Sequence, residues 1–244
     1  MNATTHASHA YKVYVALRGE FQLFMDDPRK GHCCRAAIVA PDQPHRIDGR
    51  RAVISLFYLV PETPEGQRVS RLLYGKKASA PSESTIATLM PRLRQYLDQG
   101  CSVEEAAEVC DYLFNNLLPG CRNLKAHFEP RVAGAIEYLN YDLEHRVTIA
   151  EIASAVALSP SRLEHLFAEE VGIPISRYLL SLRVRKALKG MAAGNPLTQV
   201  AQEVGFSDSA HLSRTFRRMI GIAPSYVMKN IPLFNIRPEP PAEK

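Results

Sequence analysis

The chain has 244 residues, 46% of them hydrophobic, which suffices for the packed cores of two domains and excludes wholesale disorder. The formal net charge of +5 and the pI of about 9.0 favour a polyanionic partner only weakly. No signal peptide or membrane span is visible, and five cysteines cannot all pair within one chain, so we predict a cytoplasmic protein that does not enter the membrane.

Short β-rich runs follow a polar stretch over residues 1–10. The runs are YKVYVAL from Tyr11, FQLFM from Phe21, RAAIVA from Arg35 and AVISLFYLV from Ala52. Turn-forming Asp, Pro and Gly residues separate them at 26–28, 41–44 and 48–49. This succession predicts a small β-sandwich or partial barrel.

Two adjacent thiols, Cys33 and Cys34, fall among these runs. Adjacent cysteines can form a thiol sensor or a soft-metal site, but without other cysteines nearby we expect a structural role. Cys101, Cys110 and Cys121 are expected to be small apolar fillers.

A connector rich in Pro, Ser and Lys, residues 61–82, leads to two predicted helices. The first has an apolar stripe interrupted by Met90-Pro91, made of Ile86, Leu89, Leu93 and Leu97. A capping box at residues 102–105 opens the second, which runs through Leu117. Residues 119–130 are the best candidate linker.

Residues 196–229 contain two short helical patterns separated by the sequence GFSD. Gly205 can adopt the left-handed conformation that ends a helix, and Ser207 can cap the next one. In the second pattern Leu212, Phe216 and Met219 share one predicted buried face. The arrangement predicts a helix-turn-helix.

The opposite face of that second helix carries small, hydroxyl and guanidinium groups. It presents Ser209, Ala210, His211, Ser213, Arg214 and Arg217. An α-helix fits the major groove of DNA, and Arg can donate two hydrogen bonds to guanine, so we predict DNA contacts here. The alternative is the solvated face of a helical bundle.

A second copy of this pattern lies earlier in the chain, because IASAVALSPSRLEHLF at 152–167 matches VAQEVGFSDSAHLSRTF at 200–216 with one residue fewer. Thr148 and Glu151 form a capping box for its first helix, and Ser159 caps its second with Pro160 at the first position. The exposed candidates on that second helix are Ser161, Arg162, Glu164, His165 and Ala168.

The first copy differs from the second in two places. Ala157 replaces the turn glycine, which is tolerated if the turn is not strictly left-handed. Glu169-Glu170 are placed where the second copy has Arg217-Arg218, and carboxylates repel phosphate. Arg214, Arg217 and Arg218 therefore favour the second copy for phosphate contacts. Further helices are predicted at 131–140 and, between the two copies, at 174–191.

Together these residues resemble the AraC/XylS family of bacterial transcription regulators. The second copy is close to the family signature in the form AxxxGFSDxxHLSRxFRRxxGxxPS, and the first fits through SPSxLxxLF; the similarity covers about residues 131–230. The resemblance implies an α+β chain. A cupin-like β domain with helices, for sensing and oligomerisation, spans 1–118, an all-α domain with two helix-turn-helix motifs spans 131–230, and a Pro-rich tail spans 231–244.

The implied function is a sequence-specific transcription regulator that binds operator or promoter DNA and RNA polymerase, without catalytic residues, cofactor or metal. The second helix of each motif would be its recognition helix, the one that enters the DNA. The helix at 174–191 would hold the two recognition helices in successive major grooves, about 34 Å apart. A small-molecule effector and a homodimer are left open as partners. The two helices after the strands resemble the dimerisation element of the family, or they cover the sheet of their own subunit.

An effector pocket would be lined by Tyr14, Phe21, Phe24 and Phe57, unless these aromatics simply fill the core. Two alternative functions are retained. A metal-dependent cupin enzyme fused to a DNA-binding domain would need converging ligands, with His6, His9 and His45 as candidates. A constitutive DNA-binding protein would sense nothing.

Overall fold

The computed structural model describes residues 3–99, 108, 111–113, 115–116, 128–141 and 147–229. The chain divides into a first unit, Met1–Ala126 with Arg217–Ile222, and a second unit, His127–Phe216 with Ala223–Lys244. The capping box predicted at 102–105, the end of its helix at Leu117, linker residues 119–127 and the tail at 231–244 lie outside the described residues. So do Cys101, Cys110 and Cys121.

Two antiparallel sheets form the framework of the first unit. Their strands are β1 (Tyr11–Arg18), β2 (Phe21–Phe24), β3 (Gly31–Cys34), β4 (Ala36–Val39), β5 (Arg46–Asp48), β6 (Val53–Leu59) and β7 (Ala78–Ser79). One sheet has the order β6-β1-β4-β7 and the other the order β3-β2-β5. The sequence predicted β1, β2, β4 and β6. It missed β3, β5 and β7, which are short and lack a clear apolar alternation.

The long strand β1 has two different faces. Its residues Val13 and Val15 belong to a core that includes Leu73 and Leu89 from two helices, α1 (Pro64–Leu73) and α2 (Glu83–Gln99). Because successive side chains of a strand point to opposite faces, Lys12 and Tyr14 face away from that core. The β1 side chains are therefore split between a helix-covered face and a second buried face.

Helix α1 lies inside residues 61–82, which the sequence predicted only as a connector, and that prediction is wrong. The Thr63 hydroxyl accepts the Gly66 N–H at 3.1 Å, and Pro64 occupies the first turn. Val69 and Leu73 are buried. Local capping and burial of one apolar face thus form a helix in a stretch whose Pro and Gly content indicates a loop.

Helix α2 continues through Pro91, where the sequence predicted an interruption. Its buried residues Ile86, Leu89, Met90 and Leu93 pack in the same core as β1. This stripe therefore covers the sheet of its own chain, the second of the two roles considered for it.

The second unit is helical. Its helices are α3 (Pro130–Tyr141), α4 (Ile149–Ala155), α5 (Pro160–Val171), α6 (Ile175–Ala192), α7 (Leu197–Glu203), α8 (Ser209–Ile220) and α9 (Pro224–Lys229), with the last turn of α8 belonging to the first unit. One core joins Leu139 of α3, Ile152 of α4, Phe167 of α5 and Tyr178 of α6. The predicted helices at 131–140 and 174–191 are present as α3 and α6. No helix within the described ranges is long and apolar enough to cross a membrane.

Candidate nucleic-acid interface

The helices of the first motif, α4 and α5, begin at the predicted caps. The Thr148 N–H donates to Glu151 Oε2 at 2.7 Å, and the Glu151 N–H donates to Thr148 Oγ1 at 3.3 Å, completing a capping box. For α5 the Ser159 hydroxyl accepts the Arg162 N–H at 3.3 Å, and Pro160 stands at the first position.

The sequence predicted Ser207 as the cap of helix α8 in the second motif. That prediction is wrong, because the cap is Asp208. The Asp208 carboxylate accepts the His211 N–H at 2.6 Å, while the Ser207 hydroxyl donates to Asp208 at 3.0 Å. The His211 N–H bond and the Ser207 hydroxyl lower the pKa of Asp208. A carboxylate is a stronger acceptor than a hydroxyl at the positive end of a helix, and Ser207 lies one residue too early.

This correction changes the alignment of the two copies. With Asp208 in the role of Ser159, both recognition helices have 12 residues, and Ser207 is the extra residue. Phe167 then corresponds to Phe216, and Glu169 corresponds to Arg218 alone. The residue of α5 opposite Arg217 is Ala168, so the predicted match of two glutamates to two arginines is wrong by one position.

Both turns are left-handed, with φ of 53° at Ala157 and 79° at Gly205. Equivalent backbone bonds close them: the Leu158 N–H donates to Ala153 O and the Phe206 N–H to Ala201 O, each at 2.8 Å. Ala157 therefore occupies a left-handed turn, and the condition under which alanine would be tolerated without strain is not met. Packing of the two motifs imposes the same turn on alanine, at a steric cost that glycine avoids.

The buried face of α8 agrees with the prediction, and α5 has a comparable buried face. Leu163 and Phe167 are buried in α5, and Leu212, Phe216 and Met219 are buried in α8. These apolar stripes fix which side of each helix remains open to a partner.

Most of the predicted contact residues lie on the open faces, and three of them, including Ala168, which was predicted to be exposed, are half-buried. Exposed side chains are those of Ser161, Arg162, Glu164, His165, Ala210, His211, Arg214, Arg217 and Arg218, while Ala168, Ser209 and Ser213 are half-buried. His211 is held at the start of α8, with its ring edge-on to Phe206 at 5.2 Å and Nδ1 3.3 Å from the Ser207 hydroxyl.

The outer faces carry different charge. Three guanidinium groups lie along α8, from Arg214, Arg217 and Arg218, and no carboxylate follows Asp208 in that helix. Helix α5 carries Glu164, Glu169 and Glu170 against the single Arg162. The Glu170 carboxylate accepts the Glu129 N–H at 3.2 Å, so it is engaged at the start of α3. A polyanion would be attracted more strongly to α8 than to α5.

Helix α6 separates the two motifs and is buried along its length at Tyr178, Leu182, Ala187 and Met191. Its 18 residues correspond to about 27 Å of helix. Gly190 allows close contact with α7, since a Cβ at this position would lie 3.1 Å from Val200 Cγ2. The α6 packing suits a rigid spacer.

The residues predicted to line an effector pocket do not form one group. The rings of Tyr14 and Phe21 lie 6.0 Å apart. Phe24 instead stacks under the Arg46 guanidinium at 3.7 Å, and Phe57 packs against the core that contains α1 and α2. Phe57 pairs with Val13 on β1, so it faces away from Tyr14.

A buried polar group lies on the Tyr14 face, where the sequence predicted His6 and His45 only as candidate metal ligands and did not predict Lys12. Lys12, His6 and His45 are all buried there, and the two imidazoles lie on either side of the Tyr14 hydroxyl. The signal for Lys12 is a lysine inside an otherwise apolar stretch of β1. The pairing of His6 with His45 across a β-bridge depends on tertiary structure.

The cysteine pair is placed differently from the prediction. Cys33 is exposed on β3 and its thiol donates to Glu20 Oε2 at 3.0 Å, while Cys34 is half-buried. Cys33 therefore fills no core, and its hydrogen bond to Glu20 raises the pKa of the thiol. Among the described residues, no three or more His, Cys, Asp or Glu side chains are grouped to hold a metal ion.

Comparison with known proteins finds a domain family in the helical part of the chain and relatives that match about 100 residues. Residues 152–230 match the family described as "Helix-turn-helix domain". The arabinose operon regulatory protein of Salmonella typhimurium is 33% identical over 105 residues, 42% of this chain and 37% of that protein. A putative AraC-like transcription regulator of Streptomyces antibioticus is 35% identical over 103 residues, 42% of this chain and 34% of that protein. The match thus spans about a third of the length of these relatives.

Similarity of fold extends much further. An apo variant of ToxT from Vibrio cholerae strain SCE256 superposes with a TM-score of 0.62 at 12% identity, covering 94% of this chain and 92% of that one. ToxT from Vibrio cholerae O395 gives a TM-score of 0.57 at 14% identity, covering 96% and 94%. The β-rich first unit and the helical second unit therefore follow a fold already seen in one chain. Residues 152–230 therefore form a helix-turn-helix domain, and the chain is similar over about 100 residues to regulators of the AraC type.

Proposed function

We propose that this protein is a sequence-specific transcription regulator that places α5 and α8 in the major groove of operator or promoter DNA. The observation that carries the proposal is the repeated motif, in which each recognition helix buries a phenylalanine and leaves a polar face open. An exposed helix of this kind has the width of the major groove. The charge of α8 supports a polyanionic partner.

Within this proposal, Arg214 and its counterpart His165 are the central base-reading candidates. Both lie on the open face, one residue before a buried position of the same helix. Arg can donate to guanine O6 and N7 together, and imidazole can donate or accept at a base edge. Arg217 and Arg218, one turn later, would contact phosphate.

The Arg214→Ala substitution tests the proposal. We expect it to weaken binding to a mapped operator by about 1–3 kcal/mol and to relax specificity at one base pair. Arg50→Ala is the matched control, because it removes an exposed arginine from the first unit, where Arg50 is paired with Asp48. Equal losses in the two variants, or no loss for Arg214→Ala, would refute the assignment.

We further propose that the first unit responds to a small-molecule effector. ToxT from Vibrio cholerae has been solved with an unsaturated fatty acid bound, at a TM-score of 0.56 and 14% identity to this chain, covering 98% of this chain and 92% of that one. Buried Lys12, beside Tyr14 on β1, is a cation that could attract an anionic head group. A fatty acid that binds only the folded protein would raise its melting temperature. Lys12→Met should abolish that rise, and no rise in the native protein would remove fatty acids from consideration.

Regulation through RNA polymerase, dimerisation and a cytoplasmic location are part of the same proposal. Because the apolar stripe of α2 is buried against its own sheet, a homodimer would have to use other surfaces. Sedimentation of the purified protein with and without operator DNA would establish the stoichiometry.

A further inference from the structure

Three side chains in the first unit form a compact hydrogen-bonded cluster. The Tyr14 hydroxyl lies 2.8 Å from His45 Nε2 and 3.3 Å from His6 Nε2. The two imidazole centroids are 4.3 Å apart. Relative exposures are 4% for His6, 1% for Tyr14 and 2% for His45, so the cluster is shielded from bulk solvent.

The backbone fixes the tautomer of both imidazoles. His6 Nδ1 lies 2.8 Å from Thr4 O, and His45 Nδ1 lies 2.8 Å from Gln43 O. A carbonyl oxygen only accepts, so each Nδ1 must carry a proton. In the neutral imidazoles both Nε2 atoms are then acceptors that face Tyr14, which has one hydroxyl proton. The cluster therefore has two acceptors and one donor proton. The Tyr14 hydroxyl donates its proton to His45 Nε2, the nearer atom, and His6 Nε2 faces a lone pair of the hydroxyl oxygen.

The surroundings of the cluster oppose the extra proton. Lys12 projects from the same face of β1, and Asp42, in the loop before His45, partly offsets its charge. Tyr58 from β6 lies under the Lys12 ammonium at 5.9 Å. Burial, with the nearby Lys12, lowers the pKa of His6 to about 3 and that of His45 to about 4. Burial also lowers the pKa of Lys12 itself to about 7.

We propose that the His6–Tyr14–His45 cluster is an acid-sensitive switch, in which protonation of an imidazole in mildly acidic solution opens the first unit around these residues. Opening lets the imidazolium reach water, because the folded cluster cannot solvate a second positive charge beside Lys12. The free energy of opening thus falls as acid is added.

The cluster is connected to the last turn of α8, within the same unit. The Thr4 N–H and hydroxyl donate to Gly221 O at 2.9 and 3.2 Å, and Lys12 Nζ donates to Met219 O at 3.2 Å. His6 packs directly on Gly221, where any added Cβ would clash with the imidazole. Opening around His6 would therefore release the carbonyl groups that end α8. If the proposed DNA-binding function is correct, operator affinity would change with pH.

The direction of the pH effect follows from proton linkage. A histidine whose folded pKa lies below its ordinary 6.5 binds protons more readily when unfolded, so its contribution to stability is lost as pH falls below 6.5. Below pH 6.5, each such histidine raises the unfolding constant by up to about tenfold for every unit by which the pH falls.

Two neighbouring groups act in other pH windows. Although burial opposes it, hydrogen bonds to Asp42 and Glu62 raise the pKa of His9 to about 9, so the stability that His9 contributes is lost between 6.5 and 9. The lowered pKa of Lys12 reduces the stability of the folded protein as pH falls from 10.5 to about 7. The interval from pH 6.5 to 5 therefore isolates His6 and His45 from both groups.

The experiment compares unfolding constants of the full chain at pH 6.5 and 5. Between pH 6.5 and 5, the unfolding constant of the native protein should rise by up to about 1,000-fold. In His6→Gln or His45→Gln the rise should be about 30-fold smaller. In the double variant the part of the rise that comes from protonation of these two histidines should be lost. His32→Gln, on exposed β3, should behave like the native protein. Equal rises in the native protein and the double variant would overturn the switch.

A second measurement keeps the proposal testable if a variant fails to fold. In NMR titrations of the folded native chain, the ring protons of three histidines should show no titration between pH 7 and 5: His6 and His45 stay neutral, and His9 stays protonated. Titration of every histidine with a midpoint near 6.5 would contradict the cluster described. Operator affinity measured over the same range tests the connection to α8, since a binding loss without the stability effect would implicate the DNA-binding residues and not the cluster.

Discussion

The two recognition helices, α5 and α8, are built alike on the inside and differ on the outside. Both have 12 residues, both follow a side-chain cap and a left-handed turn, and both bury a phenylalanine completely. Their open faces carry glutamates in one case and arginines in the other. Packing therefore preserves the framework of a motif, while the surface that meets a partner is free to change charge.

The largest expected effect concerns the shared framework. Phe167→Ala and Phe216→Ala should each destabilise the protein by about 3–5 kcal/mol, because both rings are fully buried and would leave cavities. Urea unfolding of the two variants measures this directly. Ser161→Ala, at an exposed position of α5, should change stability by less than about 0.5 kcal/mol. If either Phe variant lost no more free energy of unfolding than Ser161→Ala, the two motifs would not share a buried core.

Loss of a cap is expected to cost less. Ser159→Ala and Asp208→Ala each remove the side-chain acceptor of a recognition helix, at about 0.5–2 kcal/mol. The Asp208 variant should be the more damaging, because a carboxylate also interacts with the helix dipole. Ser207→Ala serves as the control in thermal unfolding. If Ser207→Ala cost as much as Asp208→Ala, the cap would be the serine predicted from sequence.

The smallest effects are expected at the turns, and they should have opposite signs. Gly205→Ala should cost about 1 kcal/mol through backbone strain alone, since the new Cβ would be 3.4 Å from Arg183, an ordinary contact. Ala157→Gly should relieve the same strain and gain about 0.5 kcal/mol after the added chain entropy. Matched thermal unfolding decides this, and a loss of stability in Ala157→Gly would show that the turn is not strained.

Much of the helical unit could be predicted from sequence, because its signals are local. The capping box at Thr148, the cap at Ser159 and the buried face of α8 all depend on residues within one or two turns. The cap of α8 was misplaced because the two copies differ by one residue before the helix. The serines Ser207 and Ser159 align by residue type, whereas the Asp208 hydrogen bond shows that the cap of α8 is the following residue.

The first unit was less predictable, because its defining contacts are distant in sequence. His6 meets His45 and Tyr14 through strand pairing and packing, which no periodicity reveals. Helix α1 was missed although Thr63-Pro64 is a good helix start, since the surrounding composition suggested a loop. The predicted pocket set was divided by the alternation of β1 and β6, which places Phe57 and Tyr14 on opposite faces.

The salt dependence of operator binding tests most directly the claim that two exposed recognition helices bind DNA and that α8 supplies the phosphate contacts. We predict that Arg218→Ala lowers the slope of log affinity against log salt by about 1, whereas Glu169→Ala at the matching position of α5 leaves the slope unchanged or raises it. Equal slopes for the native protein and Arg218→Ala, or a lower slope for Glu169→Ala, would contradict the account.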